Sequence, residues 1–353
     1  MNVFEEAIHE FKLSPYPLVI YGAGWVGNEI YRYLKRNDVD IHGFAVDRGF
    51  LSENRTLDGL TIYDIGELLK TARYNVLLAF TGCSTSRIEQ LEHHVNVNAF
   101  YQIDFIGKSV GGLDGQMYDC FLSENKGTLD KLREDLSDEA SKKALDEFLR
   151  QRNTGAFCKP YSHKPEYFDD EIVSLSEDEV FVDCGAYNGD SILSFCNALK
   201  ERGISNYKRI YAFEPDAGNA QRLKENLSGA KNILLIEKGV YDKACTLRFS
   251  ETGTMGSRVS GEGKTIEATS IDETVGDDEV SFIKMDIEGS ELKALEGAEK
   301  SIRRWKPKLA ICVYHKVEDL LQIPQYIQSL HPDYKLFFRN YSPFGLDAII
   351  YAV

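Results

Sequence analysis

Two short apolar runs in this chain each end in a glycine-rich turn and then lead into a helical pattern. The first run is Leu18–Tyr21 and the second is Val180–Asp183. A strand, a glycine turn and a helix in this order begin a βαβ unit, and βαβ units build parallel sheets. Because further strand-like runs and helical stretches follow each start, the sequence predicts an α/β fold with two such sheets.

The spacing of these patterns predicts three parts of the chain. We expect a first α/β domain over residues 1–108, a helical linker over 109–164 and a second α/β domain over 165–353. Gly111 and Gly112 indicate a loose joint at the start of the linker. The charged stretch Thr128–Arg150 has a weak helical period in its leucines,.

The composition excludes several classes of protein. Apolar residues make up 43% of the 353 residues, which argues against wholesale disorder,. The formal net charge of −15 argues against a nucleic-acid partner, because phosphate contacts need clustered lysine and arginine,. The seven cysteines are scattered, and no apolar run approaches the ~20 residues of a membrane span,. We therefore expect a cytoplasmic protein with reduced thiols and no membrane span.

The first glycine turn has the spacing of a dinucleotide-binding fingerprint. Gly22, Gly24 and Gly27 follow a strand and open a helix, and Asp47 ends the next strand about 20 residues on,. Such glycines let a pyrophosphate approach the helix N-terminus, and the acid accepts ribose hydroxyls. The sequence thus predicts a Rossmann-like nucleotide site, although the glycines would equally serve close packing of the helix on the sheet.

The second glycine turn has a different pattern. Asp183 ends its strand beside the turn Gly185–Gly189, and Glu214 ends the next strand about 25 residues after that turn,. S-adenosyl-L-methionine needs an acid near its ammonium group, backbone donors, and a carboxylate for its ribose diol, and its cationic sulfonium tolerates acids. A solubilising charge is the alternative for Glu214. The predicted cofactor-binding residues are Asp183, Gly185, Ala186, Tyr187, Asn188, Gly189, Asp190, Glu214, Pro215 and Asp286.

The second half closes with two strand-like runs that are near enough to pair as a hairpin, Lys335–Phe338 and Ala348–Val353. Five strands of parallel type precede them. A dinucleotide domain rarely ends in this way, whereas a seven-stranded methyltransferase sheet does.

Several ordered stretches of residues 165–353 resemble the FkbM-type methyltransferases. The stretches that carry the resemblance are Val180–Ser191, Phe213–Asp216, Ser270–Glu273, Ile283–Gly289, Leu295–Ala298, Tyr341–Ser342 and Ile350–Ala352. The resemblance implies a class I methyltransferase fold with S-adenosyl-L-methionine as cofactor. It also implies O-methylation of a hydroxyl, commonly on a sugar or a secondary metabolite, and leaves the acceptor open.

Residues 1–108 separately resemble the nucleotide-binding domain that precedes some sugar-modifying enzymes of bacterial surface-polysaccharide pathways. Gly22–Gly24, Gly43–Asp47 and Leu57–Tyr63 carry this looser likeness. It implies a nucleotide-sugar as ligand. Trp25 departs from the commonest form, and its ring would either cover a base or block the site. We accordingly expect the methyl acceptor to be a sugar, a nucleotide-sugar or a polysaccharide precursor.

Three residues near the ends of adjacent strands are predicted to be catalytic. Alignment of donor and acceptor contributes most to methyl transfer, and a general base contributes less. Asp286 lies where the reactive methyl group is expected in this fold, Glu288 follows it, and His315 ends the next strand as a candidate base,. Helix capping by Asp286 and a structural role for His315 are the alternatives. The two carboxylates would also suit Mg²⁺, but without a third ligand we expect no metal.

Three other points stay open in the sequence. The stretch Ser250–Lys264 is either a lid over the acceptor or a plain hairpin loop,. The chain as a whole would alternatively be a nucleotide-sugar dehydrogenase or epimerase driven by its first domain, or a non-catalytic scaffold of a polysaccharide pathway. No pattern assigns an oligomeric state.

Overall fold

The computed structural model describes residues 3–52, 55–80, 85–103, 115–154, 162–249, 264–342, 345 and 347–353. The chain divides into two compact units. The N-terminal unit comprises Met1–Glu124, Asp146–Pro160 and Ser342–Gly345, and the C-terminal unit comprises Asn125–Leu145, Tyr161–Tyr341 and Leu346–Val353. The predicted joint at Gly111 and Gly112, and all but the last residue of the predicted lid, lie outside the described residues.

The first part of the chain alternates strands and helices. Its elements in order are α1 (Val3–Leu13), β1 (Leu18–Tyr21), α2 (Trp25–Arg36), β2 (Ile41–Val46), a 3₁₀ turn (Arg48–Phe50), β3 (Thr56–Leu57), β4 (Leu60–Asp64), α3 (Ile65–Leu68), β5 (Tyr74–Leu78), α4 (Thr85–Glu92), β6 (Val97–Tyr101), α5 (Gly115–Glu124), α6 (Lys126–Asp135) and α7 (Glu139–Thr154). Helices α5 to α7 fall in the stretch predicted to be helical. The predicted bounds of the linker and of the two domains stay a prediction.

The N-terminal unit contains a six-stranded sheet in the order β3-β4-β2-β1-β5-β6. All neighbouring strands are parallel except β3 and β4, which are antiparallel. Strand β1 lies between β2 and β5 and is buried along its whole length, as expected for a central strand of a parallel sheet,. The α/β prediction for this half is confirmed.

The C-terminal unit continues the alternation and ends in two strands. Its remaining elements are β7 (Val180–Cys184), α8 (Asp190–Glu201), β8 (Arg209–Phe213), α9 (Ala217–Asn226), β9 (Ile233–Ile236), β10 (Gly239–Val240), β11 (Cys245–Phe249), β12 (Lys264–Thr269), α10 (Ile271–Val275), β13 (Phe282–Met285), α11 (Glu291–Glu296), α12 (Glu299–Trp305), β14 (Lys308–Cys312), α13 (Asp319–Leu330), β15 (Leu336–Asn340) and β16 (Ala348–Ala352). Among the described helices, none is long and apolar enough to cross a membrane.

Seven of these strands form one sheet in the order β15-β16-β14-β13-β7-β8-β9. Strands β14, β13, β7, β8 and β9 are parallel neighbours, whereas β16 is antiparallel to both β14 and β15. The seven-stranded sheet with a terminal hairpin is therefore confirmed. The chain crosses from β7 to β8 on one side and returns to β13 on the other, so the order reverses beside β7. Open α/β sheets bind ligands at such a reversal, outside the carboxyl ends of the strands.

An aromatic cluster fixes β7 against β13. Phe181 and Phe282 face each other in register on the two strands, with ring centroids 5.3 Å apart. Both rings contact Phe168, at 5.8 and 5.6 Å, and Phe195 of α8 stacks on Phe181 at 4.8 Å. All four side chains are completely buried. The two strands that border the reversal therefore share one tightly packed core.

Helix α7 is tied to the terminal hairpin by a charged contact at its start. Asp138 accepts a hydrogen bond from the backbone N–H of Ser141 at 2.6 Å, and Arg339 of β15 donates to its other oxygen at 2.7 Å. Partial burial raises the pKa of this carboxyl. The hydrogen bonds and the arginine charge outweigh burial and lower the pKa to about 2.

The lowered pKa of Asp138 predicts a stability difference that depends on pH. Its contribution is present above the unfolded pKa of about 3.9 and is lost as pH falls towards 2. Asn keeps the helix cap, so Asp138→Asn should lower the free energy of unfolding by on the order of 1 kcal/mol at pH 7, since the side chain is about one-third exposed. Urea unfolding at pH 7 and pH 3 measures the difference, which should shrink at the lower pH.

The exposed Asp130→Asn on α6 is the control and should show little change at either pH. An Asp138→Asn effect that stays constant with pH would contradict the charged contact.

Candidate active site

The predicted site residues of the C-terminal unit gather at the carboxyl ends of four adjacent parallel strands. Glu214 follows β8, the turn 185–189 follows β7, Asp286 and Glu288 follow β13, and His315 comes soon after β14. The sheet order β14-β13-β7-β8 makes these ends neighbours. The topology thus brings residues from 185 to 315 to one edge of one sheet.

Asp183 lies inside this edge and is completely buried. Its register partner on β13 is Lys284, whose Nζ lies 3.1 Å from Asp183 Oδ1. The hydroxyl of Ser191 donates to the other carboxylate oxygen. Asp183 is therefore already engaged within the protein, and its predicted contact with the cofactor's ammonium group, which stays a prediction, would come in addition to these two bonds.

Lys284 holds the ends of β7 and β13 together. Its side chain is 3% exposed, and Nζ donates to the backbone carbonyl of Gly185 at 2.8 Å and lies 5.2 Å from the centre of the Tyr167 ring. Burial lowers the pKa of this amine, but the charges of Asp183 and Asp286 outweigh burial and raise it. Lys284 is therefore a cation at neutral pH, and its bond to Gly185 holds its ammonium group against the glycine turn.

The glycine turn after β7 is shaped by its neighbours. Gly185 has φ of +80°, and a Cβ on it would lie 2.0 Å from the carbonyl oxygen of Asp286, so no other residue fits,. Gly189 also has a positive φ and precedes the first residue of α8, the exposed Asp190. Ala186 is buried in the same turn. Gly185 is thus required by the approach of two strand ends, whereas Gly189 is favoured by its positive φ.

The rest of the turn is more open. Tyr187 and Asn188 are half-buried, and Tyr187 has the unusual φ of +46° for a residue with a side chain,. The N–H of Tyr187 donates to Glu214 at 2.9 Å, and the carbonyl of Asn188 accepts a bond from Asn226 at 2.9 Å. Tyr187 and Asn188, which are both predicted to contact the cofactor, are therefore partly exposed to solvent at the sheet edge.

Glu214 connects the turn to the end of β8. Its Oε2 accepts the bond from Tyr187, and its Oε1 accepts from the N–H of Asp216 at 2.8 Å. The residue is 5% exposed, and burial raises the pKa of its carboxyl despite these hydrogen bonds. Pro215 beside it is half-buried. The acid predicted to bind a ribose diol is thus held by backbone donors close to the glycine turn.

Asp286 is held by two tyrosines. The hydroxyl of Tyr167 donates to Oδ2 at 3.1 Å, and that of Tyr314 donates to Oδ1 at 3.2 Å. Burial raises the pKa of Asp286, but the charges of Lys284 and His315, with the tyrosine bonds, outweigh it and lower the pKa. Asp286 is therefore an ionised, oriented carboxylate at the end of β13.

His315 lies among carboxylates. Its side chain is 8% exposed; Nδ1 is 2.9 Å from Glu291, and Nε2 is 3.4 Å from Asp286 and 3.6 Å from Glu288. Burial lowers the pKa of the imidazole, but Glu291 and the other two acids outweigh it and raise the pKa to about 9. The ring of the free chain therefore carries a proton at neutral pH, and it would have to lose that proton before serving as the predicted base.

A pocket opens beside this cluster, on the β13–β14 side of the edge. Its volume is about 220 Å³, and it is lined by Tyr241, Glu288, Gly289, Ser290, Lys293, His315 and Lys316. Glu288 adopts φ of +58°, which turns the chain sharply after β13. The pocket combines acidic, basic and imidazole side chains, which is a lining suited to a polar ligand.

The glycine turn of the N-terminal unit serves packing at two of its three positions. A Cβ on Gly22 would lie 2.7 Å from the carbonyl oxygen of Ala79, and one on Gly27 would lie 2.0 Å from the carbonyl oxygen of Gly22. Gly24, just before α2, faces open space, and the neighbouring Trp25 is 42% exposed. Close packing therefore explains why glycine is needed at positions 22 and 27, but it does not explain Gly24.

The predicted ribose acid of the N-terminal unit has protein partners. Asp47 accepts a hydrogen bond from the hydroxyl of Tyr21 and forms an ion pair with Arg87 of α4, both at 2.5 Å. A nucleotide at this turn would have to share or displace those contacts. Nucleotide binding by Gly22, Gly24, Gly27 and Asp47 stays a prediction.

Comparison with known proteins identifies the part of the chain that carries the C-terminal site. The family model described as the methyltransferase FkbM domain matches residues 183–341. Residues 183–341 are therefore similar to the methyltransferase FkbM domain, and we use that name for this region. None of the curated proteins matches this chain. The strand ends with Glu214, Asp286 and His315 all fall within the FkbM domain.

Solved structures extend the likeness. Methyltransferase FkbM from Methylobacillus flagellatus KT matches 100% of this chain and 94% of its own, with 24% identity and a TM-score of 0.70. At that identity the match shows a shared fold. Two smaller matches each cover 52% of this chain at 14% identity: a putative methyltransferase from Streptococcus mutans in complex with SAH (93% of that chain, TM-score 0.33) and Aeropyrum pernix fibrillarin with natively bound S-adenosyl-L-methionine (70%, 0.32).

Several residues around the C-terminal site were not singled out from the sequence. Lys284 looked like one residue of an apolar strand, and Glu291 looked like a polar residue at the start of a helix. Tyr167 precedes the first strand of the domain and carries no motif. The register of two parallel strands brings Lys284 to Asp183, and no local pattern shows that pairing.

The Lys284–Asp183 pair predicts a strong effect on the stability of the FkbM domain. Lys284→Met leaves a buried carboxylate without its cation, which should lower the free energy of unfolding by about 3–5 kcal/mol. Replacing both residues, Asp183→Asn with Lys284→Met, removes the two charges together and should recover most of that loss. Urea unfolding followed by circular dichroism measures the three variants.

Lys224→Met, which removes a lysine that is 51% exposed, is the matched control and should change stability little,. A double variant as unstable as Lys284→Met alone would show that the pair is not what holds this edge.

Proposed function

We propose that this chain is an S-adenosyl-L-methionine-dependent O-methyltransferase that acts on a hydroxyl of a sugar, a nucleotide-sugar or a polysaccharide precursor. The observation that carries the proposal is the methyltransferase FkbM domain over the strand ends that hold Glu214 and Asp286. The acidic edge supports the cofactor, because a sulfonium cation is favoured near carboxylates. The net charge of −15 supports a small acceptor rather than a nucleic acid, and we also propose a cytoplasmic location,.

The residues at the edge fit this cofactor. Glu214 stays oriented by backbone N–H groups and has the geometry of a fixed carboxylate, which is what a ribose diol requires,. When bound, the cofactor supplies an electrophilic methyl group on a positively charged sulfur. We propose that the turn 185–189 and Pro215 border the same cofactor, since they flank Glu214 in the sheet.

Asp286 is the residue best placed to orient the acceptor. It is ionised, and the hydroxyls of Tyr167 and Tyr314 fix its two oxygens. In this state Asp286 would accept a hydrogen bond from the acceptor hydroxyl and take up its proton as the hydroxyl oxygen receives the methyl group. Orientation accounts for most of the rate in such a reaction, and the proton acceptor contributes less.

The pocket beside Asp286 supports a sugar-type acceptor. A volume of about 220 Å³ is below the ~300–1,000 Å³ of pockets for drug-sized ligands, and it suits one sugar ring,. Lys293 and Lys316 in its lining favour an acceptor that also carries negative charge, such as the phosphates of a nucleotide-sugar,. We extend the proposal to the N-terminal turn at Gly24 as a second place where a nucleotide binds.

The role of Glu214 predicts a loss of cofactor affinity. Glu214→Ala removes the charged acceptor for the ribose hydroxyls and should weaken S-adenosyl-L-methionine binding by ~10–100-fold. Calorimetric titration of the full chain measures the affinity. Glu225→Ala, an exposed acid on α9, is the control and should bind as the unchanged protein does. Equal affinities of the two variants would remove Glu214 from the cofactor site.

Methyl transfer itself is tested with a set of hydroxylated acceptors. The full chain, incubated with S-adenosyl-L-methionine and either free sugars or nucleotide-sugars, should release S-adenosylhomocysteine and give one methylated product. Asp286→Asn should slow this turnover by ~10²-fold or more. Hydride exchange with a nicotinamide cofactor in place of methylation would favour a dehydrogenase, and the lack of any adenosylmethionine binding would favour a scaffold.

A further inference from the structure

Four side chains from three elements converge beside the pocket. Asp286 and Glu288 come from the loop after β13, Glu291 is the first residue of α11, and His315 follows β14. Asp286, Glu291 and His315 each offer one ligand atom, and these atoms lie within 4.8 Å of one another. We call these four residues the imidazole–carboxylate cluster.

His315 is an incompletely bonded group within the cluster. The side chain is 8% exposed, and neither of its ring nitrogens makes a hydrogen bond of good geometry with the described residues. The nitrogen Nε2 faces Asp286 and Glu288, whose oxygens are 3.4 and 3.6 Å away. A buried polar atom without a partner is costly, and here it faces two anionic oxygens.

The distances in the cluster match coordination better than hydrogen bonding. A separation of 3.6 Å between nitrogen and oxygen is too long for a hydrogen bond,. Ligands held about 2.1 Å from an ion in a tetrahedral arrangement lie about 3.4 Å apart. His315 Nε2 therefore lies at the separation expected of two ligands of one ion from Asp286 Oδ1 and, separately, from Glu288 Oε2.

A carboxylate lies beside the other ring nitrogen, Nδ1. Glu291 Oε1 lies 2.9 Å from Nδ1, and the same oxygen is fixed by the N–H of Ile287 at 2.9 Å. Glu291 is completely buried. Histidines that bind metals usually give their second ring N–H to a carboxylate, which fixes the tautomer and the ring orientation.

We propose that His315, Asp286 and Glu288 bind a divalent transition-metal ion of the Mn²⁺ or Zn²⁺ class, with Glu291 as the positioning residue for the imidazole. An imidazole ligand favours these ions over Mg²⁺ and Ca²⁺, which prefer oxygen ligands alone. A ligating imidazole is neutral at the bound nitrogen, so the ion would bind to Nε2 without a proton on that atom.

The position of the ion gives it a role in catalysis that rests on the proposed function. It would lie at the border between Asp286 and the pocket, since Glu288 and His315 line that pocket. A hydroxyl that completes the coordination would be held in place and made more acidic. Metal binding itself does not depend on methyl transfer, so the two proposals fail separately.

The test is a titration of the full chain with Mn²⁺, followed by electron paramagnetic resonance after the protein has been stripped with a chelator. We expect about one Mn²⁺ per chain and its displacement by Zn²⁺, with no methyl donor present. His315→Gln and Glu288→Gln should each weaken binding at least ~10-fold, and Glu291→Gln should weaken it ~10–100-fold. Glu288 is 26% exposed on a loop, so its variant is expected to fold.

His331→Gln is the matched control, because His331 also faces an acid, Asp333 at 3.9 Å, outside the cluster. It should bind Mn²⁺ as the unchanged protein does. The proposal is overturned if the chain binds neither Mn²⁺ nor Zn²⁺ at one per chain, which would make the cluster an internal ion pair around a protonated ring. It is also overturned if the folded Glu288→Gln variant binds Mn²⁺ with unchanged affinity.

Discussion

The buried ion pair between Lys284 and Asp183 is the interaction on which the C-terminal edge depends. It joins β13 to β7 where the sheet order reverses, and Lys284 also binds the carbonyl of Gly185. Burying two charges is costly unless they also have hydrogen-bond partners, and here a serine hydroxyl donates to Asp183 and a backbone carbonyl accepts from Lys284,. The glycine turn and the start of the Asp286 loop therefore have one common anchor.

This anchor also sets the charge of the edge. Lys284 stabilises Asp286 as an anion, and Asp286 in turn favours a cation at His315. Positive and negative groups thus alternate from β7 to β14. Under the proposed function, such a site would need little rearrangement of its own groups to receive a cationic donor on one side and an ion or a polar acceptor on the other.

Much of the architecture could be predicted because it depends on local patterns of apolar residues and glycines. Apolar runs that end in glycine predicted both sheets, and the two closing runs predicted the hairpin. The residues at strand ends, such as Glu214 and Asp286, could be found because parallel strands present their carboxyl ends together. The side chains that contact those residues could not be predicted in this way. Lys284 lies inside an apolar strand, and Glu291 meets His315 only through the packing of a helix start against a distant strand end, which sequence spacing does not encode.

The fit of Gly185 against Asp286 has a consequence for how the two halves of the edge respond to change. With a glycine at 185, the backbone of the first turn touches the carbonyl of Asp286, and a single methyl group would occupy the same space. A shift in one loop is thereby transmitted to the other without an intervening side chain. Substitutions that change the choice of acceptor are then expected among the residues that line the pocket. The contact between Gly185 and Asp286 should tolerate almost no substitution.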